Sequence, residues 1–99
     1  MDIRLINRGA VGELQLDGSL DTNAAMEAEE IFKEIAGRFD SVILDMEGLR
    51  YVSSSGLRIL KNLHMDLKKK GGDLMIKNVG KSVMEVFEMT GIVCLFHFI

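Results

Sequence analysis

One cysteine, Cys94, is the only thiol in a chain of 99 residues. No internal disulfide can form, so the fold must stand on its core, and a reducing compartment fits. Proline is absent. No Pro-rich or Ser-rich linker, internal repeat or low-complexity tract divides the chain, and residues 1–99 read as one domain. A basic excess is also lacking: 12 Lys and Arg stand against 15 Asp and Glu, a formal charge of −3. That balance argues against a nucleic-acid partner. The longest apolar run, Ile92–Phe96, falls far short of the ~18 residues that cross a bilayer. Asp2, Arg4, Arg8, Glu13 and Asp17 leave no apolar stretch for a signal peptide. The expected setting is cytoplasmic, with no membrane insertion. There is no Walker A motif, no Gly-x-Gly-x-x-Gly and no His-Glu-x-x-His. No cofactor is expected.

What is present is a modest supply of core. The chain is 47% apolar and 27% charged, which is not the composition of a disordered segment. At this length roughly 60–65% of the unfolded surface can be buried.

The pattern of apolar residues alternates between strand and helix. Ile3–Ile6 reads as a short strand, followed by the turn Asn7-Arg8-Gly9. Val11–Asp17 alternates polar and apolar, the period-2 signature of a half-buried strand, so the two suggest a hairpin. Gly18–Asn23 is rich in turn residues, and Asp21, Thr22 or Asn23 can cap the helix that follows. Ala25, Ala28, Ile31, Phe32 and Ile35 form its inward stripe, and Gly37 reads as its stop. Ser41–Met46 holds the unbroken run Val42-Ile43-Leu44, as in a strand covered on both faces. Glu47–Val52 reads as a loop. A second helix follows Ser53-Ser54-Ser55-Gly56, with Leu57, Leu60, Leu63, His64 and Leu67 along it and Lys68-Lys69-Lys70-Gly71 at its end. Those lysines suit the negative end of the helix dipole. Asp73–Lys77 is a further strand. Gly80 opens a third helix with Val83, Val86 and Phe87 inward and Gly91 as its stop, and Cys94–Ile99 is a last strand.

The order is ββαβαβαβ. Helical crossovers imply an α/β fold with a mostly parallel β-sheet, a short antiparallel N-terminal strand and helices packed on the sheet. Loops at the carboxyl ends of such strands gather function. Two are rich in small polar residues, Gly18–Asn23 and Glu47–Gly56. The second holds three serines at a helix start. There a phosphate would be stabilised by free N–H groups and the dipole. A serine at the same place also caps well with no further role, and composition alone favours capping.

The segment Val42-Ile43-Leu44-Asp45, then Leu49-Arg50-Tyr51-Val52-Ser53-Ser54-Ser55-Gly56-Leu57, resembles the signature of STAS domains. It is closest to the bacterial anti-sigma factor antagonists, the anti-anti-sigma factors. Leu16-Asp17-Gly18-Ser19-Leu20-Asp21 resembles the Gly-x-Leu-Asp turn of that family. Leu74–Val79 with Val83, Val86, Phe87 and Thr90-Gly91 resembles its fourth strand and third helix. The likeness covers essentially the whole chain.

The resemblance implies a regulator that is not an enzyme. Its partner would be an anti-sigma factor with serine kinase activity. Binding would release a sigma factor, and phosphorylation of Ser54 would separate the pair. Asp21, Thr22, Asn23, Ser53, Ser54, Ser55, Gly56 and Arg58 would form the partner surface. Because the two loops leave the same edge of a parallel sheet, Asp21 is expected beside Ser54. The second reading is an unswitched STAS subunit of a signalling complex or of a lipid-transport ABC system. Two departures stand out. The family's Asp before the phosphoserine is Ser53 here, which can still cap but carries no charge. The family's C-terminal helix does not follow the last strand, so the tail Ile92–Ile99 is expected to seek cover, with a homo-oligomer through that strand as the expected outcome.

Other candidate chemistry reads as packing. Cys94 and His97 would point to opposite faces of a strand, which favours core packing over metal binding. His64 is expected to be buried or at a half-exposed edge.

Overall fold

The computed structural model describes the whole chain, Met1–Ile99. The elements are β1 (Asp2–Arg8), β2 (Val11–Leu20), α1 (Thr22–Arg38), β3 (Ser41–Val52), α2 (Ser54–Lys69), β4 (Leu74–Lys77), α3 (Lys81–Thr90), a 3-10 turn (Ile92–Cys94) and β5 (His97–Phe98). One sheet holds all five strands in the order β1-β2-β3-β4-β5. β1 is antiparallel to β2, and every later pair is parallel. The α/β class, the hairpin and the parallel crossovers are therefore as the sequence pattern implies.

The three crossovers step in one direction across the sheet. Right-handed connections of that kind place α1, α2 and α3 on a single face. The strands show the consequence. Val42, Leu44, Leu74 and Ile76 are fully buried, while Ile43 and Met75 between them are only half-buried. The expectation that β3 is covered on both faces is thus corrected. Its second face is open, and there the buried carboxylate of Glu13 is held by Arg8 at 3.0 Å and Lys77 at 3.3 Å.

The core lies between that single covered face and the helices. Phe32 and Ile35 of α1, Leu60, Leu63 and Leu67 of α2, and Val83 and Phe87 of α3 supply it. Each such side chain contributes about 1.5–3 kcal/mol when fully buried. β1 adds Ile3 and Leu5, which stand opposite Leu16 and Leu14 and pack against the core from the edge.

Several expected boundaries move. β3 does not stop at Met46: Glu47–Val52, expected as a loop, continues the strand. It does so through two irregularities. Gln15 and Asp17 face Asp45 and Gly48, and Gly18 and Ser19 face Leu49 and Tyr51. Each time β3 carries one residue more than β2, the mark of a bulge. Gly37 lies inside α1, whose cap is the extended Phe39. The last strand shrinks to His97–Phe98, because Ile92–Cys94 coils into a 3-10 turn after Gly91, which takes the left-handed conformation (φ 79°).

Candidate functional site

The site is built where β2 and β3 end and two helices begin. Leu20 and Val52 are paired at the last rung of the sheet. The chain then turns into α1 after Asp21 and into α2 after Ser53. The Leu20 carbonyl accepts two hydrogen bonds from Ser53, from its N–H at 2.9 Å and its Oγ at 3.0 Å. Those bonds lock the two helix starts side by side. Asp21 and Ser54, each one residue further along, consequently leave the same edge of the sheet.

Each helix has its own cap. Asp21 Oδ1 accepts from the N–H of Ala24 at 2.8 Å. Ser53 Oγ accepts from the N–H of Gly56 at 3.1 Å. Of the three expected capping residues for α1, Asp21 does the work, and Thr22 and Asn23 are exposed on the first turn. Gly56 makes the close approach possible. A Cβ there would meet Leu20 Cγ, the Leu20 carbonyl oxygen and Val52 Cγ2 at 2.9 Å each. Only a residue without a side chain lets the start of α2 lie against the end of β2.

Neighbouring serines of the run stand in different settings. Ser53 is buried and caps the helix, donating and accepting at once. Ser54 is exposed on the first helical turn and its hydroxyl has no partner in the chain. Ser55 is half-buried and Gly56 is buried. Ser53 and Gly56 therefore shape the surface from beneath, while Asp21, Thr22, Asn23, Ser54 and Arg58 face outward.

Ser54 opens into a cleft between α2 and the α3–3-10 corner. Leu57, Ile92 and Leu95 are its apolar lining, and Arg58 and Lys61 stand at its side. No carboxylate lines it, although the chain as a whole is acidic. Asp21 and Asn23 line a different cleft, shared with Glu27 and Arg50. Composition could not reveal the cationic cleft, because Ile92 and Leu95 reach it only through the unexpected 3-10 turn.

Other candidates take structural places. Asp45 Oδ1 accepts from Asn78 Nδ2 at 3.0 Å and from the N–H of Glu47 at 3.1 Å. It thereby holds Asn78 in the left-handed region (φ 61°), a conformation uncommon for residues other than glycine. Cys94 and His97 do not pack in the core as expected; both are exposed. The 3-10 turn takes Cys94 off the strand, and His97 Nδ1 lies 2.9 Å from Asp73 Oδ2. His64 is half-buried, edge-on to Phe96 with ring centroids 6.2 Å apart. No helix is long and apolar enough to cross a membrane.

Comparison with known proteins agrees with this geometry. BtrV of Bordetella bronchiseptica, named as an anti-sigma factor antagonist, is 34% identical over 73 residues, 70% of this chain. The match spans 63% of BtrV, so the chain answers to less than two thirds of that relative. The anti-sigma-B factor antagonist of Bacillus subtilis is 22% identical over 80 residues, covering 81% of this chain and 73% of that protein. The anti-sigma factor antagonist SpoIIAA in its unphosphorylated form superposes with a TM-score of 0.78 at 18% identity, over 99% of this chain and 87% of that one. Its Bacillus phosphorylated form gives the same score at 19% identity. The family model for the STAS domain matches residues 2–99. With the sheet order, the paired helix starts and this match in agreement, the chain belongs to the STAS domain family.

Proposed function

We propose that the chain is an anti-sigma factor antagonist, switched at Ser54. It binds an anti-sigma factor with serine kinase activity through the edge formed by the starts of α1 and α2, and binding releases a sigma factor. The kinase then transfers the γ-phosphoryl group of ATP to Ser54 Oγ. The bond to the ADP leaving group breaks, a P–O bond to the serine forms, and the hydroxyl proton passes to a base of the kinase. The phosphate adds about −1.5 to −2 charges to the binding face, and the pair separates.

The observation that carries this reading is the division of labour between Ser53 and Ser54. The cap is provided by Ser53, so Ser54 can be modified without loss of a hydrogen bond that holds the fold. The positive end of the helix stabilises phosphate there. The names of the relatives support the partner class. A cytoplasmic setting belongs to the same proposal.

Incubation with ATP and the kinase-fold anti-sigma factor encoded nearest to its gene, followed by intact-mass and peptide mass spectrometry, tests it. One phosphate on Ser54, absent from Ser54→Ala, is expected. Ser53→Asp restores the family's acidic residue and should speed the modification. Phosphate that persists in Ser54→Ala, or none on either wild type or Ser53→Asp, overturns the switch and leaves an unswitched STAS subunit.

Association of copies through the tail is proposed on a narrower basis than the sequence suggested. Ile92 and Phe96 are buried, leaving Leu95, Ile99 and Met89 as the large apolar side chains exposed nearby. Sedimentation velocity at micromolar concentration should show a dimer that Leu95→Lys and Ile99→Lys dissolve. A monomer in all three removes the proposal.

A further inference from the structure

Ser54, Arg58 and Lys61 occupy positions i, i+4 and i+7 of α2. That spacing sets them in one stripe on one helix face, and all three line the same cleft. The Cα–Cβ bonds of a helix tilt toward its N-terminus, which brings the first turn, where Ser54 sits, within reach of the long Arg58 side chain. In the unmodified protein Arg58 Nη1 lies 3.4 Å from Glu29 Oε2 of α1. This contact is long for a charge-assisted hydrogen bond, and Arg58 is 59% exposed. Exposed ion pairs of that kind are weak.

We propose that Arg58 is the internal receptor for a phosphate carried by Ser54, exchanging Glu29 for the phosphate, with Lys61 one turn further on as a second cation. The inference rests on reading Ser54 as the modified residue. The chemistry favours the exchange. A guanidinium presents a planar fork of donors that fits two phosphate oxygens at once. The phosphate carries nearly twice the charge of Glu29 and sits on the same helix, four residues away. No carboxylate lines the cleft itself, and Glu29 competes for Arg58 from outside it.

The exchange gives modification a second effect beyond added charge. It withdraws the cation nearest the helix start from the surface offered to the partner. The cleft beside Ser54 then passes from basic to about neutral, because the phosphate's roughly −1.5 to −2 charges nearly offset Arg58 and Lys61, so a partner segment with acidic side chains loses its counter-charge.

The test uses the full chain with phosphoserine installed at position 54 during translation, and reads the phosphate's second ionisation by phosphorus NMR titration. That ionisation falls near pH 6 for an unperturbed phosphoserine, at about that value. A pairing guanidinium favours the dianion. The expected result is an ionisation constant about 3- to 10-fold larger in the phosphorylated wild type than in phosphorylated Arg58→Gln. Arg58→Lys should recover part of the effect, and Glu29→Gln, which removes the competing carboxylate, should keep all of it. Equal titrations in wild type and Arg58→Gln overturn the proposal. Because the phosphate is installed without a kinase, the titration judges Arg58 alone. Failure of any kinase to modify Ser54 counts against the function and is seen in the separate mass-spectrometric assay.

Discussion

Three residues at the start of α2, Ser53, Ser54 and Gly56, do three different things. Ser53 Oγ both donates to Leu20 and accepts from Gly56 in a buried setting. Ser53→Ala removes the cap and leaves the Gly56 N–H without a partner, so it should cost about 1–3 kcal/mol in urea unfolding. Ser54→Ala touches neither bond and should change stability by less than about 0.5 kcal/mol. Equal losses would mean that the cap is shared. Gly56 is the third. Its missing Cβ accommodates Leu20 and Val52 at 2.9 Å, and part of that contact is backbone that cannot rotate away. Gly56→Ala should cost about 1–3 kcal/mol by overpacking and lower the affinity for a partner, because it moves the first turn of α2. Unchanged thermal stability in Gly56→Ala would contradict the close approach. From the sequence, the run of serines at a helix start was legible, but not which serine caps. That depends on the Leu20 carbonyl, 33 residues earlier in the chain and placed only by the pairing of β2 with β3.

Elements were legible where apolar periodicity was unbroken. The amphipathic stripes of α1, α2 and α3 and the apolar centres of β3 and β4 declare themselves. The misread stretches are those in which period and geometry part. Two bulges in β3 shift the inward-facing positions twice, so Met46, Leu49 and Val52 are buried at a spacing that is neither 2 nor 3.6. Ile92 and Phe96 turn inward four residues apart around the 3-10 turn, which takes Cys94 out of the strand expected over Cys94–Ile99. Lysines at the end of α2 serve more than their own helix. Lys70 Nζ donates to the Ala36 and Phe39 carbonyls at the end of α1, at 2.6 and 2.9 Å.

The junction of α2, β4 and β5 is also pH-sensitive. His97 of β5 donates from Nδ1 to Asp73, just before β4, and Lys68 of α2 lies 3.3 Å from its other oxygen. The His97 hydrogen bond is the main cause that holds the Asp73 carboxyl below its ordinary value of 3.8; burial opposes it, and Lys68 adds to the lowering. A carboxyl depressed in the folded state stabilises the fold above its unfolded value, and that contribution is lost as pH falls through the folded value. The stability difference between wild type and Asp73→Asn, followed by urea midpoints, should therefore hold level near pH 5 and shrink below pH 3.8. A difference that stays constant down to about pH 2.5, well below the unperturbed carboxyl range, would show that the carboxylate contributes nothing to the junction.

At the scale of the molecule, one-sided packing divides the labour. The helices cover one face of the sheet and their N-termini gather at its carboxyl edge, where Asp21 and Ser54 emerge together. The opposite face has no helix over it and carries the ion pairs of Glu13 with Arg8 and Lys77. The acidic chain keeps a carboxylate-free, cationic cleft at that edge. The edge was foreseeable from the topology, since parallel strands place their following loops on one side. The cleft was not, because its far wall comes from the C-terminal turn. The central claim is that a charge placed on Ser54 decides whether this edge binds its partner. Like-charge placement in an interface costs several kcal/mol, which corresponds to a loss of about 100-fold or more in affinity. The most direct measurement is calorimetric titration of the kinase-fold anti-sigma factor with the full chain, carrying either serine or phosphoserine at position 54. Tight binding is expected for the serine form and at least about 100-fold weaker binding for the phosphoserine form. Equal affinities for the two forms would contradict the central claim.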